Sequence, residues 1–130
     1  MITTSRETDY VHNKVNGRVT IKELLDYAQC NVDKWLSDPV LWDLSNATMV
    51  EDKSDYIAIN STVKNIHILA EKRKGRKTAF VAPEPLAYGM LRMAITIVEC
   101  TEKRIVASVF ADIEAAEAWM KEPNQSMNLT

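Results

Sequence analysis

Glycine is scarce in this chain, with three in 130 residues, at positions 17, 75 and 89. Without a glycine-rich run, neither a P-loop nor a G-x-G-x-x-G dinucleotide fingerprint is available, which excludes nucleotide-cofactor chemistry of those kinds. Cysteine is scarcer still. Cys30 and Cys100 stand 70 positions apart, make no disulfide framework, and are expected to be buried free thiols in a reducing cytoplasm. The two histidines, His12 and His67, fall on different expected elements, and no paired spacing suits a metal. No uncharged apolar run approaches the roughly 18 residues needed to span a bilayer. The opening Met-Ile-Thr-Thr-Ser-Arg-Glu lacks the basic-then-apolar order of a signal peptide, so a soluble cytoplasmic protein is expected. A large charge of one sign is also missing. The formal net charge is -2, and nothing global draws the chain to nucleic acid or to an anionic membrane.

What is present is ordinary for a globular protein: 46% hydrophobic and 26% charged residues, in a length that suits one domain over 1–130. Residues 1–7 and 121–130 are expected to be poorly ordered ends. Thr8 to Val15 mixes β-formers with polar residues and stops at Asn16-Gly17, and residues 2 to 5 either extend this strand or form a separate edge strand. Thr20 and Glu23 stand at capping-box spacing. Behind them Ile21, Leu24, Leu25, Ala28, Val32, Trp35 and Leu36 make one apolar helical stripe that ends at Asp38-Pro39.

Val40 to Asn46, Val-Leu-Trp-Asp-Leu-Ser-Asn, starts as an apolar run and turns polar at Asp43. That is the pattern of a doubly covered central strand emerging at the rim of an α/β sheet. Ala47 to Asp55 is expected to be a polar connection. A second helix begins between Ser54 and Ser61 and runs to Lys74, with Tyr56, Ile59, Val63, Ile66 and Ala70 in helical step and Gly75 as its stop. Thr78 to Ala82 suits a second buried strand. A third helix follows from Pro85 to about Glu99, then a strand at Arg104–Phe110, then a short helix capped by Asp112. Alternation of this kind means βαβ units and a largely parallel sheet.

No catalytic set assembles from these residues. Ser45 follows a strand without a G-x-S-x-G elbow, and Asp43 with Ser45 is more simply a strand end whose side chains satisfy loop amides. The basic cluster Lys72-Arg73-Lys74-Gly75-Arg76-Lys77 suits a solvated helix end, where cations complement the dipole, better than a nucleic-acid patch. The third helix is apolar on more than one side. Tyr88, Met90, Met93 and Ile97 exceed what a single face needs, so the helix is either sandwiched in the core or presents a dimer interface or a ligand pocket. Gly89 within it suggests a close approach. Arg92 is placed to reach an anion or to form a surface salt bridge.

The Leu-Trp-Asp-Leu-Ser strand at 41–45, the Tyr-Gly-Met-Leu-Arg-Met run at 88–93 and the close Val-Phe-Ala-Asp-Ile-Glu-Ala-Ala-Glu-Ala-Trp-Met at 109–120 resemble the SpoIIAA-like group of bacterial proteins. These are relatives of the STAS domain, sometimes labelled STAS/SEC14. The resemblance implies an α/β fold: a four- or five-stranded mixed, mostly parallel sheet with about four helices, no enzyme activity and no cofactor. Its STAS relatives bind partner proteins, and some are switched by phosphorylation of a serine in an Asp-Ser-Ser-Gly pattern at the start of the second helix. Here the matching place reads Glu51-Asp52-Lys53-Ser54. The acidic residue is kept but the serine-glycine pattern is lost, which leaves Ser54 a displaced phosphosite candidate. The first expectation is therefore a regulatory module acting by protein association, as a homodimer or with a partner. The alternative is a carrier of a small apolar, lipid-like ligand held between the third helix and a sheet rim formed by Asp43 to Asn46 and Ala82 to Pro85, with Asp43, Ser45, Asn46 and Glu84 as its candidate polar contacts.

Overall fold

A five-stranded sheet runs through the computed structural model, which describes residues 1–35 and 38–123. Its strands β1 (Ile2–Arg6), β2 (Val11–Val19), β3 (Val40–Met49), β4 (Lys77–Val81) and β5 (Val106–Phe110) lie side by side in chain order. β1 pairs antiparallel with β2, and every later pair is parallel. The helices among the described residues are α1 (Ile21–Asn31), α2 (Ser54–Lys64), α3 (Ile66–Arg73), α4 (Pro85–Thr101) and α5 (Ile113–Lys121), with a 3-10 turn at Val32–Lys34. Ile2–Arg6 thus forms a separate edge strand, hydrogen-bonded where a loose end was expected. Residues 124–130 of the expected tail, and Leu36 of the first helical stripe, lie outside the described residues.

Alternation along the strands divides the core in two. Val40, Trp42 and Leu44 of β3 face a large cluster with Ile21 and Leu24 of α1, Ile59 of α2 and Ala87 and Leu91 of α4. Leu41 points the other way, joining Ala79, Val81 and Ala116 under α5. The capping box of α1 forms as its spacing requires. Thr20 Oγ1 accepts from the Glu23 amide at 3.1 Å, and Glu23 Oε1 accepts from the Thr20 amide at 3.0 Å. Asp112 caps α5 by accepting from the Ala115 amide at 2.8 Å.

Several expectations are corrected. The strand expected to stop at Asn16-Gly17 continues to Val19: the β2–β3 register shifts between Lys14 and Asn16, and Gly17, at φ 83°, pairs with Ala47. Lys14 pairs with Asp43 but Asn16 pairs with Asn46, so the extra residue of this bulge sits on β3 at Leu44–Ser45. β3 itself runs to Met49, so the supposed polar connection begins only at Val50 and Met49 is fully buried. The long second helix is broken at Asn65, whose side-chain amide donates to the Ser61 carbonyl at 3.2 Å and competes with the helical ladder. This break raises the count of α-helices among the described residues to five. Ile59, Ile66 and Ala70 are buried as the stripe predicts, but Tyr56 stays 69% exposed. Both cysteines are exposed rather than buried, since each sits on the solvent side near a helix end. Nothing approaches Gly89 within contact distance.

The basic cluster is the largest departure. Arg73 and Lys77 are buried, not solvated. Arg73 Nη1 donates to the Trp35 and Asp38 carbonyls, each at 2.7 Å, and Nη2 donates to the Lys77 carbonyl at 3.2 Å and to Thr78 Oγ1 at 3.4 Å. Burial pulls its pKa down to about 10, still charged at neutral pH. Lys77 Nζ donates to the Trp119 and Glu122 carbonyls at 2.6 Å and lies 4.8 Å from the centre of the Trp119 ring. It therefore caps the C-terminus of α5 and adds a cation–π contact. Replacing Arg73 with leucine is expected to destabilise the fold by about 3 kcal/mol, because the carbonyls of Trp35, Asp38 and Lys77 all lose a charged donor at once. Arg73→Lys recovers only part of this, since an ammonium does not reproduce the planar fork. Urea denaturation checks both, and an Arg73→Leu midpoint equal to wild type contradicts the assignment.

Candidate functional site

The carboxyl ends of the parallel strands form a rim where α1, α2, α4 and α5 begin, the usual ligand-facing edge of an open α/β sheet. Because β3 extends to Met49, Asp43, Ser45 and Asn46 lie within the strand and not on that rim. The rim is made instead by Glu51–Asp55 and by the start of α4. Asp55, 6% exposed, organises it: Oδ1 accepts from the Lys22 amide in the first turn of α1, and Oδ2 from the Asp52 amide, both at 3.0 Å. Ser54 is half-buried, and its amide and hydroxyl both donate to Asp52 Oδ1. Those bonds hold the Asp52 carboxyl below its usual range.

Between the beginnings of α2 and α4 lies a groove of about 600 Å³, lined by Tyr56 and Ile59 on one side and Leu86, Gly89, Met90 and Met93 on the other. Pro85 opens α4 in its first turn, and Glu84 precedes it in extended conformation, its carbonyl accepting from the Tyr88 amide at 2.9 Å. Tyr88 is half-buried against the core. Arg92 is exposed. Met93 and Ile97, one turn apart on the same side of α4, are 44% and 38% exposed, Leu86 is 48% exposed, and Ile57 beside Tyr56 is 72% exposed. The third helix is thus neither fully sandwiched nor fully solvated. Ala87 and Leu91 enter the core while Leu86, Met93 and Ile97 stay outside.

A second, mostly apolar pocket of about 170 Å³, open to solvent on one side, lies at the opposite end of the strands, between the C-terminal half of α4, α1, α3 and the sheet. On the other face of the sheet, His12 stands between two carboxylates, with Nδ1 3.6 Å from Glu7 and Nε2 3.5 Å from Asp43. Tyr10 donates to Glu117 of α5 at 2.8 Å; burial, then Glu117, pushes its phenol pKa up. Among the described residues no three His, Cys, Asp or Glu side chains gather to hold a metal ion, and no helix is long and apolar enough to cross a membrane.

No family model matches the chain, and no curated protein matches it. Among solved structures, an uncharacterised DUF3478-family protein with a SpoIIAA-like fold, from Shewanella loihica, is similar over 92% of both chains. Its TM-score is 0.54 at 15% identity. The chain has a SpoIIAA-like fold. The unphosphorylated anti-sigma factor antagonist SpoIIAA aligns with a TM-score of 0.46 and 13% identity over 92% of this chain and 94% of its own. The phosphorylated Bacillus cell fate determinant SpoIIAA gives 0.49 and 9% over 92% and 99%.

In this SpoIIAA-like sheet, sequence reasoning missed His12, Tyr10 and Glu117, which meet only because β2, β3 and α5 come together. It also placed Asp43 at a strand end, whereas its Oδ1 takes up the Ser45 amide at 3.0 Å inside the β3 bulge. Burial pushes the Asp43 carboxyl up, but hydrogen bonds from Ser45 and then the nearness of His12 outweigh it, leaving the pKa below 3.8. A carboxyl depressed in the folded state stabilises the fold above its unfolded value and loses that contribution as pH falls through the folded one. Asp43→Asn is therefore expected to lower stability at neutral pH. The gap to wild type should close as acid passes 3.8 and the lower folded value, read from urea midpoints across pH. A gap that stays constant with pH contradicts the assignment.

Proposed function

We propose that the chain is a non-catalytic regulatory module of the cytoplasm that works by protein association through its α2–α4 face, in the first place with a second copy of itself. The observation that carries this reading is the exposed apolar lining of the groove, Tyr56 on α2 facing Leu86 and Met93 on α4, all 44% exposed or more, with Ile57 and Ile97 exposed next along the same helices. Scattered surface apolar residues need no explanation, but contiguous ones rimmed by charge mark interaction sites. Methionines at 90 and 93 suit a surface that adapts to its partner. Glu51, Asp52 and Lys53 on the groove wall, with Arg92 exposed on α4, supply both signs of charge. A two-fold interface needs such self-complementarity. The resemblance of the 41–45, 88–93 and 109–120 segments to SpoIIAA-like proteins points the same way.

Ser54 borders this face. A phosphoryl group there adds about two negative charges beside Asp52, which already holds the Ser54 hydroxyl, and opposes docking through like-charge repulsion. Sedimentation velocity over a concentration series tests the reading. Wild type is expected to dimerise reversibly. Met93→Glu should weaken the dimer about tenfold or more, near 1.4 kcal/mol, and Ser54→Asp should weaken it less. A wild-type chain that stays monomeric throughout, or a dimer indifferent to Met93→Glu, overturns it.

A further inference from the structure

We propose that the partly open apolar pocket beside the C-terminal half of α4 is a binding site for a small apolar molecule, the size of one aromatic ring or a short alkyl chain. Its volume is about 170 Å³, enough for such a molecule, since an enclosed cavity of about 150 Å³ lined by aliphatic and aromatic side chains accepts benzene. Leu25, Val32, Leu91, Ile95 and Val98 form its walls. Trp42 and Phe80 on the sheet, also lining it, are stacked 14° from parallel with centroids 6.1 Å apart, and present flat aromatic surface to an occupant.

Water is a poor competitor for this space, because a buried water needs two to four polar partners and the polar groups of the wall are already engaged. Thr62 donates to the Ala58 carbonyl, Thr78 accepts from Arg73, and Arg73 is held by backbone carbonyls. Arg104 is bound to Glu71 and Glu102. Among the described residues that line the void, only Arg76 and Arg104 are exposed, and they mark its opening between the end of α3 and the turn before β5. The wall includes Val40, Thr78 and Val106, at the amino ends of β3, β4 and β5. The site therefore lies at the opposite end of the strands from the α2–α4 groove and shares only Ile21 with it among the described lining residues.

The hydrocarbon has two possible sources, a free neutral molecule or the tail of an anionic amphiphile whose head stays at the arginine opening. Titration with benzene, hexan-1-ol and hexanoate, read from the methyl resonances of Leu25, Leu91, Ile95 and Val98, tests the site and separates the sources. Saturable shifts confined to those methyls, with Tm rising as benzene is added, are expected. Ala94→Phe and, independently, Ala28→Phe fill the void and should abolish the shifts, while Met93→Glu leaves them unchanged. Hexanoate binding more tightly than hexan-1-ol, with the advantage lost in salt, assigns an anionic amphiphile. Equal or weaker hexanoate binding assigns a neutral molecule. Absence of any saturable shift with benzene or hexan-1-ol in folded wild-type protein overturns the proposal, as do shifts that persist in both filled variants.

Discussion

Arg73 carries a full charge into the interior, and the carbonyls it meets there belong to separate segments: Trp35 and Asp38 before β3, and Lys77 at the start of β4. A guanidinium suits this position because its planar fork serves several acceptors at fixed angles. The Trp35 carbonyl also accepts from the Asp38 amide at 3.1 Å, and the arginine adds a charged donor that ties this turn to the start of β4. Lys77 extends the arrangement to the other face, tying the end of α5 to β4. Together the two cations hold the amino ends of the central strands while leaving an apolar pocket between α1, α3 and α4.

Helix α4 then divides the apolar chemistry of the molecule. Its middle enters the core through Ala87 and Leu91, and its first half turns Leu86, Met90 and Met93 toward the groove beside α2. Its second half turns Ala94, Ile95 and Val98 toward the partly open pocket. Seventeen residues of helix with so few charges exceed what one buried stripe uses, and the surplus is spread between an outer surface and a partly open pocket. Asp55 keeps the outer surface in place by accepting amides from the first turn of α1 and from the loop before α2.

The fold class was legible because the signals that define it are local. Apolar steps of three and four, the Thr20–Glu23 capping box, Asp112 before Ile113 and Pro85 at a first turn each act within a few residues, and each appears where the pattern places it. The β3 bulge was not legible. Ser45 and Asn46 look like the polar end of a strand until the register of β2 against β3 shows that pairing continues to Met49. The break at Asn65 and the exposure of Tyr56 were hidden for a related reason, since a helical stripe shows which residues share a side but not whether anything covers it.

Order and type of elements, the alternation that makes the sheet largely parallel, and the surplus of apolar side chains on the third helix were determined by the sequence itself. Burial of Arg73 and Lys77, the meeting of Tyr10, His12, Asp43 and Glu117, and the separation of two apolar spaces along α4 were decided only by tertiary structure. A run of basic residues at a helix end has the same local chemistry whether water or backbone carbonyls receive its hydrogen bonds. Which of the two does so depends on contacts between residues some 35 to 45 positions apart.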